Sequence, residues 1–164
     1  MHSRGKSIYY ILLFAEDKIL SAVTIRYKQK INCVSSSLEI AQIQGDFQSF
    51  SAIWDTGASN SIITEKVVDK LNLLPIGETT IQGVTGSKKV NRYAVEFFLP
   101  NEYSIKLMVN GCSEILGCDV LIGMDIISKG DFAITANSKG STFSFQIPHG
   151  KEIDFRKNKK PSTL

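Results

Sequence analysis

The stretch AIWDTGASNS (residues 52–61) sets one acidic side chain, Asp55, between an apolar approach and a run of small polar residues. Ala52, Ile53 and Trp54 read as the end of a buried strand, and the residues after Asp55 as the tight loop that follows it. Alone, Asp-Thr-Gly is a weak signal. With this chain's content of Asp, Thr and Gly, shuffling produces the tripeptide roughly once in thirty trials, and Asp and Gly favour ordinary turns. Its surroundings must decide between a turn and a site.

Those surroundings are mostly strand-like. Leu38, Ile40 and Ile43 alternate through SLEIAQIQG (37–45), and FQSFSAIW (47–54) leads into Asp55. TEKVVDKLNLLP (64–75) predicts the one clear helix, with Thr64 as N-cap, Val67, Val68, Leu71 and Leu74 on one face, and Pro75 ending it. Two hairpins follow. One turns at TGS (85–87), where Gly86 suits the tight bend, and one at Pro100-Asn101-Glu102. CDVLIG (118–123) reads as a buried strand and MDIIS (124–128) as a short helical turn. DFAIT and STFSFQI pair across ANSKG, with Phe132, Ile134, Phe143, Phe145 and Ile147 facing inward. The fold class is mainly β with one or two short helices. The chain divides into an N-terminal segment (1–36) of uncertain role, one domain (37–149) and a polar, disordered tail (150–164).

Composition narrows the function. A chain of 164 residues with 43% hydrophobic and 21% charged side chains builds one domain with a real core. The net charge of +3 is concentrated in KEIDFRKNKK (151–160), too little to imply a nucleic-acid partner. Arg4 and Lys6 precede the apolar run IYYILLFA (8–15), which is too short to span a bilayer and is followed at once by AEDK rather than a cleavage site. That run reads as a strand paired with KILSAVTIRY (18–27). Cys33, Cys112 and Cys118 make an odd count, which excludes a complete disulfide framework and fits a reducing compartment such as the cytoplasm; secretion is the lesser alternative. His2 and His149 lie at opposite ends, leaving no metal-ligand spacing, and no organic cofactor motif is present.

Taken together, IWDTGAS (53–59), the hairpin around VTGSKK (84–89) and VLIGMDII (120–127) resemble the retropepsin-like aspartic proteases. That family orders an Asp-Thr-Gly loop, a flap hairpin and an apolar-apolar-Gly followed by a short helix. The resemblance spans about residues 38 to 148. It implies a single-lobe acid-protease fold that hydrolyses an extended polypeptide. Asp55 would be catalytic, with Thr56, Gly57 and Ala58 supporting its loop and Thr56 bonding across to its counterpart. Gly83, Val84, Thr85 and Gly86 would form the flap over the substrate, and Leu121, Ile122 and Gly123 would brace the Asp loop.

The chemistry explains the residue types. Two close carboxylates sharing one proton supply both a base to activate water and an acid for the leaving nitrogen. None of the other aspartates (Asp17, Asp46, Asp69, Asp119, Asp125, Asp131, Asp154) begins an Asp-Thr/Ser-Gly, so the second carboxylate must come from another copy, in a homodimer. Retroviral members brace their dimer with an acidic residue and an arginine, where this chain has Ser59 and Met124. The helix and the long front segment look more like cellular or bacterial relatives. A non-catalytic peptide-binding or dimerisation module is the main rival. A P-loop reading of GVTGSKK (83–89) fails on spacing, and a Ser-His-Asp hydrolase lacks a nucleophile elbow. A latent form, with residues 1–36 lying over the cleft, is motivated by that segment's apolar content.

Overall fold

Apolar side chains recur at every second position through most of the chain, so each strand has one face to bury. In Gln48–Trp54 the buried set is Phe50, Ala52 and Trp54; in Gly140–Ile147 it is Ser141, Phe143, Phe145 and Ile147. The computed structural model describes residues 6–10, 14–15, 18–19, 21–83, 86–100, 103–150 and 152–154. In chain order the first strands are β1 (Lys6–Tyr10), β2 (Phe14–Ala15), β3 (Lys18–Ile19), β4 (Ser21–Tyr27), β5 (Val34–Gln42), β6 (Gln48–Trp54) and β7 (Ile62–Thr64). Helix α1 (Glu65–Lys70) follows, then β8 (Gly77–Gly83), β9 (Gly86–Leu99), β10 (Tyr103–Cys112) and β11 (Val120–Ile122). Helix α2 (Met124–Ile127), β12 (Asp131–Asn137) and β13 (Gly140–Ile147) complete the described elements.

The larger sheet has the order β10-β7-β11-β6-β5-β9-β8, and β10 pairs with β9 as well as β7. Six strands therefore close into a ring, which removes their free edges and leaves β8 outside as one arm of a hairpin. Two pairs in the ring are parallel: β6 with β11, and β7 with β10. The smaller, antiparallel sheet has the order β1-β4-β13-β12. Here the front strands join the C-terminal hairpin, with Ile8 opposite Ile25 and Ile25 opposite Phe143.

One core serves both sheets. Ile25 and Phe143 from the small sheet belong to the same buried cluster as Ile40, Ile63, Val95 and Ile122 from the ring. Trp54 joins the layers, its ring centroid 4.8 Å from Phe145, 5.0 Å from Phe143 and 6.1 Å from Phe132. Its indole N–H donates to Ser36 Oγ at 3.0 Å, so the polar edge is satisfied while the rings are buried.

Several local expectations are revised. The helix ends at Lys70, not at Leu74: Asn72 takes a positive φ of 49° and Leu73 N–H bonds back to Val68 O, so the chain leaves the helical path early. Leu74 is consequently 81% exposed. Thr64 occupies the N-cap position, but its hydroxyl makes no capping bond; Oγ1 is buried with no hydrogen-bond partner among the described residues. Ile43 falls in the turn after β5, and Ile134 is exposed because the far half of β12 extends past the core. The first hairpin pairs Gly83 with Gly86, so Gly86, at φ +118°, begins the return strand rather than standing at the centre of the bend. Residues 84 and 85, most of the 150–164 tail and residues 11–13 of the IYYILLFA run lie outside the described residues.

Helix α1 is tied to the ring by charge. Lys66 Nζ lies 2.7 Å from Asp119 Oδ1, and Ser51 donates its hydroxyl and amide to Asp119 Oδ2. Burial pushes the Asp119 carboxyl up, but Lys66 and Ser51 outweigh it and the net shift is below the ordinary 3.8. A depressed folded pKa adds stability that is complete above the unfolded value and is lost as pH falls through the folded one. The expected result is that Asp119→Asn lowers Tm at neutral pH. The gap to wild type should narrow once the solution is taken below 3.8, as read by a pH series of thermal melts.

Candidate active site

Alternation in β6 sends Trp54 into the core, so the next side chain, Asp55, leaves on the other face, where it is half-buried. Its amide donates to Ile122 O at 2.9 Å, extending the parallel β6–β11 pairing by one step. The chain then turns at once. Gly57 N–H donates to Asp55 Oδ1 at 2.8 Å, and Ala58 N–H to Asp55 O at 3.3 Å. An aspartate that accepts the amide two residues on closes a tight turn with its own side chain, which orients the carboxylate. A Cβ on Gly57 would stand 3.1 Å from that Oδ1, crowding the oxygen the turn depends on.

The loop is held from behind by the Gly123 segment. Met124 N–H donates to Ala58 O at 2.8 Å. Gly123 packs so closely that a Cβ there would lie 2.6 Å from Asn60 C and 2.8 Å from Asn60 O. The structure thus brings together Asp55, Thr56, Gly57 and Ala58 with Leu121, Ile122 and Gly123. Ile122 is buried, whereas Leu121 is half-buried and lies opposite Ile53.

Two further residues complete this arrangement and were not singled out in the sequence. Ser61, fully buried, donates its hydroxyl to Asp125 Oδ1 at 2.7 Å and its amide to Asp125 Oδ2 at 2.9 Å. The same hydroxyl accepts Gly123 N–H at 3.1 Å. One serine–carboxylate pair therefore locks the end of the Asp loop to the first turn of α2. The partners stand 64 positions apart, so no local motif announces them; the only signal is Asp125 two residues beyond Gly123. Removing the carboxylate strands two buried donors. Asp125→Ala is expected to cost about 2–4 kcal/mol in urea-induced unfolding, at about 1–3 kcal/mol for each buried donor left unmade and with partial relaxation.

Across from the Asp loop lies the β8–β9 hairpin. A cleft of ≈ 480 Å³ separates them, lined by Gly57, Ala58 and Asn60 on one side and Thr79, Ile81 and Gly83 on the other. Of the four residues assigned to the flap, Gly83 and Gly86 are described and pair with each other at the end of the hairpin. Val84 and Thr85 lie outside the described residues. The described part of the front segment contributes nothing to the cleft lining; its strand β4 lies between β1 and β13.

A strand-borne aspartate opens a loop that is bound to an apolar-apolar-Gly strand, and the residues after it, from Gly57 on, line a cleft opposite a hairpin; that is the retropepsin-like arrangement. A family model described as aspartyl protease matches residues 40–126, and the chain belongs to that family. Among solved structures it is similar to a retropepsin-like aspartic protease from Rickettsia conorii, at 13% identity over 87% of this chain and 96% of that one, with a TM-score of 0.51. It is also similar to EIAV protease complexed with the inhibitor HBY-793, at 19% identity over 59% and 86% of the two chains, with a TM-score of 0.47. The retroviral protease-like domain of Ddi1 from Leishmania major aligns at 18% identity over 63% and 78%, with a TM-score of 0.41. No curated protein matches in sequence. Among the described residues no helix is long and apolar enough to cross a membrane.

Proposed function

We propose that the protein is an aspartic endopeptidase that acts as a homodimer, with one Asp55 from each chain forming the catalytic pair. The observation that carries this reading is the setting of Asp55: a half-buried carboxylate, oriented by Gly57 N–H, on a loop that lines the cleft. One chain supplies one such motif, so a two-fold axis beside Asp55 completes the dyad.

In that dyad the two carboxylates share a proton and titrate as a unit. The ionised member takes a proton from a bound water, whose oxygen attacks the carbonyl carbon of the scissile amide. The protonated member donates to the amide as it becomes tetrahedral. Collapse of that intermediate breaks the C–N bond, and the leaving amine departs carrying the added proton. Thr56 from each chain holds the paired loops in register, and residues 83–86 close as a flap over an extended substrate, excluding water and adding backbone hydrogen bonds. No step requires a metal or organic cofactor.

Cys33, Cys112 and Cys118 are free thiols, which fits a cytoplasmic setting. Residues 37–149 form the protease unit in this reading. The front strand β4 serves the core through Ile25, which is 1% exposed. The test is digestion of an unfolded protein substrate by wild type and Asp55→Asn, alongside sedimentation of both. Equal cleavage by the two, or a wild type that cleaves while remaining monomeric, would overturn the proposal.

A further inference from the structure

Among the described residues lining the cleft, Arg92 carries the only formal charge. It lies on β9 at the level of Asn110 on one side and Gly77 on the other, with its side chain half-buried. Its Nε is buried and donates to no described acceptor. A buried guanidinium N–H without an acceptor is costly, and the usual solution is a carboxylate held by two parallel N–H···O bonds. No described lining residue supplies one. The nearest acidic position on the hairpin, Glu78, pairs opposite Asn91 and is taken by Lys89. Successive side chains of a strand leave on opposite faces, so Glu78 and Arg92 do not share one.

We infer that Arg92 is a specificity-determining residue, and that the cleft selects polypeptide segments carrying a glutamate or aspartate whose carboxylate meets the Arg92 guanidinium. This rests on the cleft being the substrate site proposed above. Asn60 and Asn110 line the same cleft and offer amide groups to the carboxylate's remaining lone pairs, while Ile62 and Ile81 provide apolar wall for the methylenes that carry it. An extended substrate presents alternate side chains to one wall, so the preference falls at one fixed position relative to the scissile bond. Arginine's planar fork suits a carboxylate better than a lysine's point charge.

The test uses a randomised peptide library in amidated and free-acid forms, with Arg92 intact or changed to Lys, Gln or Glu. Each variant is made both on the wild type, read by cleavage, and on Asp55→Asn, read by peptide capture. The expected result is enrichment of Glu and Asp at one position, falling at least about tenfold in Arg92→Gln and weakening at high salt. Arg92→Lys should keep a reduced acidic preference, and Arg92→Glu should turn it toward Lys and Arg. If Arg92→Glu does not fold, the Lys and Gln variants carry the comparison, with melts confirming their stability.

Arg92-dependent capture of acidic peptides without any cleavage would leave this inference standing and sink the endopeptidase reading. Enrichment confined to free-acid peptides would assign the site to a chain terminus and overturn the side-chain form. No acidic preference, one that survives in Arg92→Gln, or no capture and no cleavage at all would overturn it entirely.

Discussion

Asp55→Asn is expected to abolish cleavage of an unfolded protein substrate across about pH 4 to 7, by at least about 10⁴-fold, with an unchanged melting temperature. General acid and general base roles are each worth about 10²–10⁴-fold, and in the proposed dyad the paired carboxylates would perform both. Stability should survive because an asparagine oxygen can still accept Gly57 N–H, the bond that closes the turn at 2.8 Å in the native loop. The separation of the two readouts is informative. Loss of activity with a normal melt places the defect in proton transfer. In the proposed dyad each half would need the other, so a dimer of one native and one Asp55→Asn chain should be equally inert. Full activity in that mixed dimer would show that a single carboxylate suffices.

The second large effect is expected at Gly123. In Gly123→Ala the new methyl would sit 2.6 Å from Asn60 C, 2.8 Å from Asn60 O and 3.0 Å from Ala58 O. All three are backbone atoms of the Asp loop, so no side chain can rotate away to relieve the clash. Overpacking of this kind costs about 1–3 kcal/mol, and here the rigid neighbours put it at the upper end. The loop must move to accommodate the methyl, which strains Met124 N–H to Ala58 O and Gly123 N–H to Ser61 Oγ. A misplacement near 1 Å at a catalytic group costs about 10²-fold in rate. The expected outcome is therefore a lowered urea midpoint together with about 10²-fold lower kcat. A variant with normal stability and normal kcat would show that the close approach is not required.

Much of the architecture was legible because strands advertise their buried face every second residue. Phe143, Phe145 and Ile147 were read as inward-facing, and they are buried. The two hairpins, read at TGS (85–87) and Pro100-Asn101-Glu102, are legible through their glycine and proline, and both antiparallel pairings are present, the first closing at Gly83 and Gly86 and the second at Leu99 and Tyr103. Errors came where a local pattern outran its packing partner. Leu74 and Ile134 have the right side chains for a core, but the chain carries them beyond it, leaving them 81% and 51% exposed. Thr64 has the chemistry of a cap, yet, buried at the end of β7, its hydroxyl finds no partner among the described residues.

What the sequence by itself determined is the identity and order of the parts: an apolar strand ending in Asp55-Thr56-Gly57, a glycine-flanked hairpin, and Leu121-Ile122-Gly123 before a short helix. These are short-range features, set by side-chain alternation and by the special backbone freedom of glycine. Only the tertiary structure decided how they meet. The parallel pairing of β6 with β11, the Ser61–Asp125 lock and the exposure of Arg92 to the cleft join residues far apart in the chain. Parallel strands and buried polar pairs leave no periodic trace in sequence, because each partner is compatible with its own neighbours whether or not the other is present. The contact exists only once the ring has closed around a shared core.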